Sequence, residues 1–304
     1  MEGQVKHTSV TVIGGANMDI CGSPAKPLVA KDSNPGHVTV RPGGVGRNIA
    51  HNLWLLGMPV SLITALGDDA YGAALKENCR SLGINLRMSL MLPGSRSSTY
   101  LYLTDEKGEM QWAINDMEIM RHLTPGVLAP HMEQINASPL VLVDANLPAE
   151  TLAYLAERCR APLYADPVSA AKARRMRGLL DRIQVIKPNR LEAEALTGEA
   201  DPERAVRALL RRGVKRVFLS MGSEGMLAAE GDTVLHLPCV MGRLVSTNGA
   251  GDAAMAALVW AGMQGLDLER SARAALRAGA ITCECAGANN PALAALPNDE
   301  ELRR

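Results

Sequence analysis

The most informative segment of this 304-residue sequence is Ser246-Thr247-Asn248-Gly249-Ala250-Gly251-Asp252, which runs directly into the strongly helical Ala253-Ala254-Met255-Ala256-Ala257-Leu258. Small residues let backbone N–H groups approach a ligand closely, and a helix N-terminus adds unpaired N–H groups and about half a positive charge. The pattern predicts an anion site over Gly249–Asp252. A carboxylate is unfavourable beside a bound anion unless it has a chemical role, so Asp252 is a candidate catalytic residue. A plain N-cap aspartate after a glycine turn is the alternative.

A second glycine turn, Pro42-Gly43-Gly44-Val45-Gly46-Arg47-Asn48, also leads into a helical stretch. It fails as a dinucleotide fingerprint, because the last glycine of GxGxxG is missing and no strand immediately precedes it. A Rossmann-type oxidoreductase is therefore disfavoured. The sequence contains no GxxxxGK[ST] motif, which excludes a P-loop phosphate site.

A third motif, Lys187-Pro188-Asn189-Arg190-Leu191-Glu192, follows an apolar strand-like run. Asn189 and Glu192 are spaced i, i+3 at the start of a helix, where their oxygens can face a hydrated Mg²⁺. A helix capped by Asn189, with Glu192 in its first turn, is the structural alternative.

Short β-branched, apolar runs alternate with helical stretches along most of the chain. Strands are predicted at Ser9–Ile13, Val60–Thr64, Leu140–Asp144, Leu163–Asp166, Val185–Lys187 and Val217–Ser220. Helices are predicted at Asn48–Leu56, Ala70–Leu82 and Pro202–Arg212. Such alternation is typical of βαβ units, so we expect an α/β fold with a mostly parallel central sheet flanked by helices on both faces.

Two stretches interrupt this alternation. Residues 16–43 are rich in Pro, Gly, Ser and Asp and end in the alternating run His37–Arg41. Residues 96–115 contain two alternating runs around a turn at Asp105–Gly108, which predicts a hairpin. Together they predict a small β-sheet lid. The sequence shows no internal repeat and no low-complexity linker, so we expect residues 1–304 to form a single domain that carries this lid.

Composition excludes several classes of protein. Lys+Arg 32 balance Asp+Glu 32, and aromatic residues make up 3%, so no basic field or base-stacking platform for nucleic acid is expected. No run approaches 18 apolar residues, so no membrane helix is expected.

The start, Met1-Glu2-Gly3-Gln4, lacks a secretory pattern, which favours the cytoplasm. The six cysteines form no CxxC and no zinc-ligand set, so we interpret them as reduced, buried thiols.

These three motifs, in this order and spacing, resemble those of the ribokinase/PfkB family of carbohydrate and nucleoside kinases, and the resemblance spans essentially the whole chain. Pro42–Gly57 is similar to the N-terminal glycine signature of the family, and Thr247–Leu258 is similar to its C-terminal one. Asn189-x-x-Glu192 resembles the magnesium motif, and Ser220-Met221-Gly222-Ser223-Glu224-Gly225 resembles the nucleotide loop. The resemblance implies a ribokinase-like fold and transfer of the γ-phosphoryl group of ATP to an alcohol.

The resemblance also assigns roles to residues. Asp252 is implied as the general base, with the backbone amides of Gly249, Ala250 and Gly251 forming the anion hole. ATP is expected to contact Asn189, Ser220, Gly222, Gly225 and Asn289. Mg²⁺ is expected near Glu192, largely through water. Many members have Asp before the Thr of the last motif, where it helps to bind a monovalent cation; this chain has Ser246, so activation by potassium is not expected.

Shorter strings, such as Asp32-Ser33-Asn34-Pro35-Gly36 and Asn289-Asn290-Pro291, resemble those of nucleoside-phosphorylating members. They imply 5′-phosphorylation of a nucleoside, with pseudouridine as the expected acceptor. Another sugar or nucleoside kinase, such as a ribokinase or a purine nucleoside kinase, is the alternative. The acceptor is expected to meet the polar side chains and backbone of Asn17, Asp19, Ser33, Gly44, Asn48, Asn115, Asp116 and Asn146. Simple solvation of the loops is the alternative role for those lid residues.

Two further expectations concern assembly and class. A lid sheet exposes an apolar face, so a homodimer packed through two lids is expected. A non-catalytic nucleoside sensor with the same fold is a remaining alternative, against which Asp252 argues.

Overall fold

The computed structural model describes residues 9–106, 108–240 and 242–303. The prediction of a cytoplasmic location rests on residues 1–4, which lie outside the described residues. The strands are β1 (Val10–Ile13), β2 (Asn17–Pro24), β3 (Gly36–Gly43), β4 (Val60–Ile63), β5 (Ala65–Gly67), β6 (Leu90–Leu92), β7 (Thr99–Thr104), β8 (Met110–Asp116), β9 (Val141–Asp144), β10 (Leu163–Asp166), β11 (Ile183–Ile186), β12 (Arg216–Ser220), β13 (Met226–Glu230) and β14 (Thr233–Leu237).

The helices connect these strands. The α-helices are α1 (Val45–Leu55), α2 (Ala70–Ser81), α3 (Pro125–Leu128), α4 (Met132–Asn136), α5 (Ala149–Arg158), α6 (Ala170–Ala173), α7 (Arg190–Thr197), α8 (Pro202–Arg211), α9 (Ala250–Met263), α10 (Leu268–Cys283) and α11 (Glu300–Arg303). Short 3₁₀ helices lie at Glu118–His122, Ala129–His131, Arg174–Arg182, Gly222–Glu224 and Pro291–Asn298.

The main sheet has eight strands in the described part of the chain, in the order β14-β13-β12-β11-β10-β9-β1-β4. Neighbouring strands pair in parallel from β12 through β11, β10, β9 and β1 to β4. Strands β13 and β14 pair antiparallel and form the other edge of the sheet. The expected mostly parallel α/β sheet is therefore confirmed. Because parallel strands end at one common edge, the residues that follow β9, β10 and β11 come together there.

Apolar side chains cover both faces of this sheet, as a parallel sheet requires. Alternation along β1 sends Val12 into the cluster packed under α1, α9 and α10, and Ile13 into the cluster packed under α5, α7 and α8. Helix α9 is apolar on all sides and is buried from Ala253 to Ala261, so its N-terminus is held rigidly at the carboxyl edge of the sheet.

The interrupting stretches form the second sheet, of order β3-β2-β7-β8, which we call the lid. Strand β2, which the sequence did not reveal, pairs with β3 over its whole length and in parallel with β7. Register places Asp19 opposite Arg41 on one side and opposite Tyr100 on the other, and Tyr100 opposite Asn115. These four side chains share one face of the lid, and alternating apolar residues occupy the other.

Strands β5, β6, β13 and β14 are further elements that the pattern of apolar runs missed. β5 and β6 have three residues each, and β13 contains two alanines, which have low strand propensity. Across the described part of the chain, no helix combines the length and apolar character needed to cross a membrane.

Candidate active site

Helix α9 begins at Ala250, directly after Gly249, as the glycine pattern predicts. Gly249 has a φ of 77°, the left-handed region that favours glycine. Its α-carbon also lies against the loop before the last 3₁₀ helix: a Cβ there would overlap the backbone of Ala288, with the carbonyl carbon at 2.7 Å. The first N–H groups of a helix have no acceptor within the helix, and that of Ala250 donates to Thr247 O at 3.3 Å.

Asp252 lies in the first turn of α9. Asn48 of α1 donates a hydrogen bond from Nδ2 to Asp252 Oδ2 at 2.8 Å, so the two glycine motifs meet at this carboxylate. Burial and the nearby carboxylate of Asp166 raise the pKa of Asp252 to about 7, although Asn48 and the ammonium of Lys187 act in the opposite direction. A carboxyl group that titrates near neutral pH is suited to take up a proton.

A buried ion pair lies beside this carboxylate. Lys187, just after β11, places Nζ 3.3 Å from Oδ2 of Asp166 at the end of β10, and each side chain is only 6% exposed. Burial alone would lower the pKa of Lys187, but Asp166, Glu192 and Asp252 together raise it. Nζ also lies 3.4 Å from the position that a Cβ on Gly251 would occupy. A fixed positive charge therefore faces the N-terminus of α9.

The lid contributes a second carboxylate from above. Asp19 in β2 accepts a hydrogen bond from Asn17 Nδ2 at 2.6 Å, and a Cβ on Gly43 would overlap its carboxylate. Burial raises the pKa of Asp19, and Asn17 and Arg47 partly offset that rise. Gly44 has a φ of 94° and no room for a side chain, since a Cβ would lie 2.6 Å from Ala16 Cα. The predicted acceptor residues Asn17, Asp19, Gly44 and Asn48 are thus adjacent.

Asn146 is held by a fully buried carboxylate. Asp144, the last residue of β9, accepts hydrogen bonds from the backbone N–H groups of Gly15 and Asn146, each at 2.8 Å. Burial raises the pKa of Asp144 to about 6. Lys172 of α6 donates from Nζ to Asn146 Oδ1 at 2.7 Å. The Asn146 amide nitrogen then faces Gly15, where a Cβ would lie 2.7 Å from it.

A cavity of about 600 Å³ opens on the other side of Asn146. Polar and charged side chains share its wall about equally with apolar groups, which include two methionines; the lining residues are Asn115, Met117, Glu118, Met120, Arg121, Asn146, Pro148, Ala149, Lys172 and Arg175. Asn115 belongs to the lid face that also carries Asp19. The cavity therefore extends from this face of the lid toward α6.

The Asn189–Glu192 motif forms a capping box at the start of α7. Asn189 Oδ1 accepts from Glu192 N, and both Glu192 oxygens accept from Asn189, through its backbone N–H and its Nδ2, each at 2.9 Å. Burial and Asp166 raise the pKa of Glu192. In the described ranges, no group of three or more His, Cys, Asp or Glu side chains is placed to hold a metal ion.

This geometry suits Mg²⁺ bound mainly by phosphates and water. Each carboxylate oxygen of Glu192 has a second lone pair beyond its hydrogen bond to Asn189, and Mg²⁺ usually keeps several waters with one or two carboxylates. Glu192 and Asn189 would hold such an ion through water. Ser246, which replaces the expected Asp before Thr247, accepts a hydrogen bond at its Oγ from the backbone N–H of Asn248 at 3.1 Å.

The residues predicted to contact ATP lie in different parts of the fold. Ser220 ends β12 and bridges in parallel to Asn189, so these two are neighbours. Gly222 has a φ of 61° in an open turn, whereas a side chain on Gly225 would overlap the backbone of Leu237. Asn289 turns inward: its Nδ2 donates to Asn48 O at 3.0 Å and to Asn52 Oδ1 at 2.8 Å. Its side chain holds the C-terminal loop against α1, and its contact with ATP stays a prediction.

Two predicted acceptor residues lie apart from the rest. Ser33 is exposed in the loop between β2 and β3, beyond the Pro24–Gly36 end of their pairing, whereas Asp19 lies near the opposite end. Asp116 follows Asn115 in β8, so it points to the opposite face of the lid, and its Oδ1 accepts from Glu118 N at 3.4 Å. The structure does not bring either side chain to Asp19.

An α/β sheet with a second, smaller sheet, and a helix N-terminus that carries Asp252, fit a small-molecule kinase of ribokinase-like fold. A model of the pfkB family of carbohydrate kinases matches residues 7–295, so the chain belongs to this family. It is accordingly a phosphotransferase with an alcohol group as acceptor.

Similar proteins agree with this assignment. The chain is 38% identical over 292 residues to a pseudouridine kinase from Escherichia coli, with 93% of each chain covered. A carbohydrate kinase structure from Agrobacterium tumefaciens is 30% identical, with a TM-score of 0.82 over 94% of this chain and 95% of that one. An Arabidopsis thaliana ribokinase complexed with ribose and ATP shares the fold, at 21% identity and a TM-score of 0.83 over 94% and 97%.

Proposed function

We propose that this kinase transfers the γ-phosphoryl group of ATP to the 5′-hydroxyl of a nucleoside, with pseudouridine as its acceptor. The observation that carries the transfer is the position of Asp252, held by Asn48 at the N-terminus of α9. The acceptor rests on the donor-rich cavity beside Asn146 and on similarity to the E. coli pseudouridine kinase. Another sugar or nucleoside kinase activity is the alternative.

In the proposed reaction Asp252 takes the proton from the 5′-hydroxyl as its oxygen attacks the γ-phosphorus. The new O–P bond forms while the bond to the bridging oxygen breaks, and that oxygen leaves with ADP. Phosphoryl transfer needs mainly positioning and charge stabilisation. The N–H groups from Gly249 to Asp252 and the ammonium of Lys187 supply donors and positive charge to the transferring group. Bound Mg²⁺ supplies further neutralisation of the phosphates.

Asp19 is the proposed partner of the ribose. A carboxylate can accept from two vicinal hydroxyls at once, and Asn17 leaves part of the Asp19 carboxylate free. The face of the lid that carries Asp19, Tyr100 and Asn115, in adjacent strands, covers the acceptor and excludes water. Exclusion of water limits wasteful hydrolysis of ATP. Residues 1–304 then act as one kinase unit in which segments 16–43 and 96–115 supply the lid.

The cavity beside Asn146 is the proposed site of the base. Lys172 and Arg175 line this cavity, and each has N–H groups beyond those that donate to Asn146 Oδ1 and Ala145 O. Carbonyl oxygens complement such donors, and a uracil ring has two of them, whereas adenine has none. Asn115, whose side chain lines the cavity, is the proposed acceptor for the extra ring N–H of pseudouridine. Uridine presents C–H at that position and would leave the acceptor unpaired.

A phosphorylation screen with Mg-ATP tests this proposal. Ribose, fructose 6-phosphate, uridine, pseudouridine, adenosine and inosine are compared by kcat/KM. We expect pseudouridine to give the highest value and Lys172→Met to lower it by roughly 10- to 150-fold, the loss of one charge-assisted hydrogen bond. The same variant should leave the slow turnover of ribose nearly unchanged, since ribose does not reach the cavity.

Arg121→Met is the matched control. Arg121 lines the same cavity but is exposed and paired with Glu118, so we expect little effect on pseudouridine. If wild type prefers fructose 6-phosphate, and both variants lower the turnover of this sugar phosphate, then the cavity binds a phosphate group and the nucleoside proposal is wrong. Equal use of uridine and pseudouridine would remove the proposed role of Asn115 and leave the kinase assignment intact.

The outer face of the lid supports a homodimer. Val38, Trp112 and Ile114 are 71%, 64% and 67% exposed on this face, and together they form an exposed apolar surface. We propose that a second lid covers it. Trp112→Lys should convert a dimer to a monomer in sedimentation at micromolar concentration, whereas Leu191→Lys, at an equally exposed position on α7, should not. A monomeric wild type would contradict the proposal.

We also propose that the protein functions in the cytoplasm. All six cysteines are free in the structure, and free thiols persist in a reducing compartment.

A further inference from the structure

Arg47 has no role in the proposed reaction, yet it is one of the most buried charged residues of the protein, at 3% exposure. It lies in α1 between Gly46 and Asn48. All three nitrogens of its guanidinium donate, and they reach five different residues: Asn78 and His51, Pro42 O, Asn48 Oδ1 and Asn289 Oδ1. The guanidinium therefore connects α2, the base of the lid and the C-terminal loop.

The contact with Asn48 has a chemical consequence. Arg47 can only donate hydrogen bonds, so the Asn48 atom that faces it, at 2.9 Å, must be the carbonyl oxygen. The opposite end of the amide, which faces Asp252 at 2.8 Å, must then be the NH₂ group. Asn289 adds a second restraint on the same helix, because its Nδ2 donates to the backbone carbonyl of Asn48 at 3.0 Å.

We propose that Arg47 is a positioning residue, which fixes the Asn48 amide in the orientation that donates to Asp252. The inference rests on the proposed role of Asp252 as general base. Without Arg47 the amide is free to rotate by 180° and to turn its oxygen toward the carboxylate, which would disfavour ionised Asp252 and leave less base at neutral pH.

The charged groups around Asp252 shift its pKa, and this pKa sets the pH at which activity falls on the acidic side of the profile, the acidic limb. Asp166 from β10 and Asp144 from β9 raise the pKa of Asp252, and Lys187 after β11 lowers it. Arg47 in α1 is close enough to interact electrostatically with Asp252. Loss of the guanidinium charge and rotation of the Asn48 amide therefore act in the same direction, toward a higher pKa of Asp252.

The experiment compares kcat against pH for Arg47→Lys and Arg47→Met with saturating Mg-ATP and acceptor. Lysine keeps the charge but has three donors on one nitrogen, so it cannot reach the same set of acceptors. We expect the acidic limb to move up by about one pH unit in Arg47→Met, the value of one hydrogen bond to a charged group, and by less in Arg47→Lys. At pH 7, close to the pKa of Asp252, kcat should fall about fivefold in Arg47→Met and recover at high pH, with the KM for ATP unchanged.

Asn78→Ala is the matched control. It removes two contacts of the guanidinium with α2, at 3.2 and 2.7 Å, but leaves the contact with Asn48, so its acidic limb should coincide with that of wild type. In an Asn48→Ala background, Arg47→Lys should produce no further shift of the limb. If thermal melting shows that Arg47→Met is poorly folded, the pH profiles of Arg47→Lys in the wild-type and Asn48→Ala backgrounds decide alone.

Three results would overturn the inference: a limb that does not move in Arg47→Lys, a shift of equal size in Asn78→Ala, or an equal shift of Arg47→Lys with and without Asn48. The proposed function fails differently, because full activity of an Asp252 variant would remove the base itself. An inactive Asp252 variant together with silent Arg47 variants would reject the positioning role alone.

Discussion

Asp252→Asn should lower kcat by roughly 10²–10⁴, the usual effect of losing a general base, while ATP binding stays close to that of wild type. The amide cannot accept the proton of the attacking hydroxyl. It keeps the shape of the carboxylate, and its oxygen can still accept from Asn48 Nδ2, which donates to Asp252 at 2.8 Å. Kinetics at saturating substrates and calorimetric titration with nucleotide measure the two quantities separately.

The pH dependence of the wild type belongs to the same prediction. Burial and Asp166 raise the pKa of Asp252 to about 7, and the base must be ionised to work. The value of kcat/KM, which reports the free enzyme, should therefore rise as pH increases through about 7 and level off above it. A flat profile between pH 5.5 and 8.5 would contradict the base role.

Thermal melting supplies the control for folding. A raised carboxyl pKa stabilises the folded protein at low pH, and this stability is lost as pH rises from the ordinary aspartate value through about 7. The substituted asparagine side chain cannot ionise, so the Asp252→Asn variant should melt at the wild-type temperature or above it at pH 8. An inactive variant with a lower melting temperature at pH 8 would reflect misfolding instead of loss of the base.

The parts of this site that the sequence revealed are those in which backbone conformation limits the residue type. Gly249 and Gly44 need positive φ and close approach, and such constraints leave a local pattern of glycines that can be read directly. The capping box at Asn189 and Glu192 is also local, since both residues lie within one helical turn. Its geometry fits the structural alternative, and a metal role through water remains a proposal.

The residues that the sequence did not reveal act across the fold. Lys187 and Asp166 come from adjacent parallel strands and form a pair only through the sheet. A signal existed, because Asp144, Asp166 and Lys187 each end or follow a predicted strand, and such ends meet at one edge. No comparable signal exists for Lys172, whose partner Asn146 is 26 residues away.

Register explains why the sequence could not assign the polar lid residues to a face of the lid. Composition indicates that Ser33, Asn115 and Asp116 lie in or near the lid, but the sequence does not say which face each occupies. Asn115 and Asp116 point to opposite faces because side chains alternate along β8, and one residue of slip would exchange them. Only the pairing of β8 with β7, with Asn115 opposite Tyr100, settles the assignment.

Gly249→Ala should be the most damaging single-methyl substitution in the cleft. Gly249 has a φ of 77°, and an alanine there costs about 1–2 kcal/mol for the left-handed backbone alone. The added Cβ would also overlap the backbone of Ala288, and overpacking costs about 1–3 kcal/mol more. Together these terms predict a fall in melting temperature of roughly 3–8 °C for a chain of this length.

Activity should fall further than stability explains. Relief of the overlap must move either the Ala288 loop or the first turn of α9, which carries the N–H donors and Asp252. A displacement of about 1 Å at reacting groups can cost 10²-fold, so we expect kcat to fall by at least about 10²-fold at temperatures where the variant is fully folded. The KM for the acceptor should change less, since Asp19 lies in the lid.

Gly57→Ala is the control that separates close approach from backbone strain. Gly57 has the same φ of 77°, but no atom lies within 4 Å of the position of a Cβ there. It follows α1 at an exposed position far along the helix from Asn48. We expect a loss of only about 1–2 kcal/mol and wild-type kcat. Equal losses of activity in the two variants, or wild-type kcat in Gly249→Ala, would mean that the contact with Ala288 does not position the anion site, and that α9 tolerates movement of its first turn during catalysis.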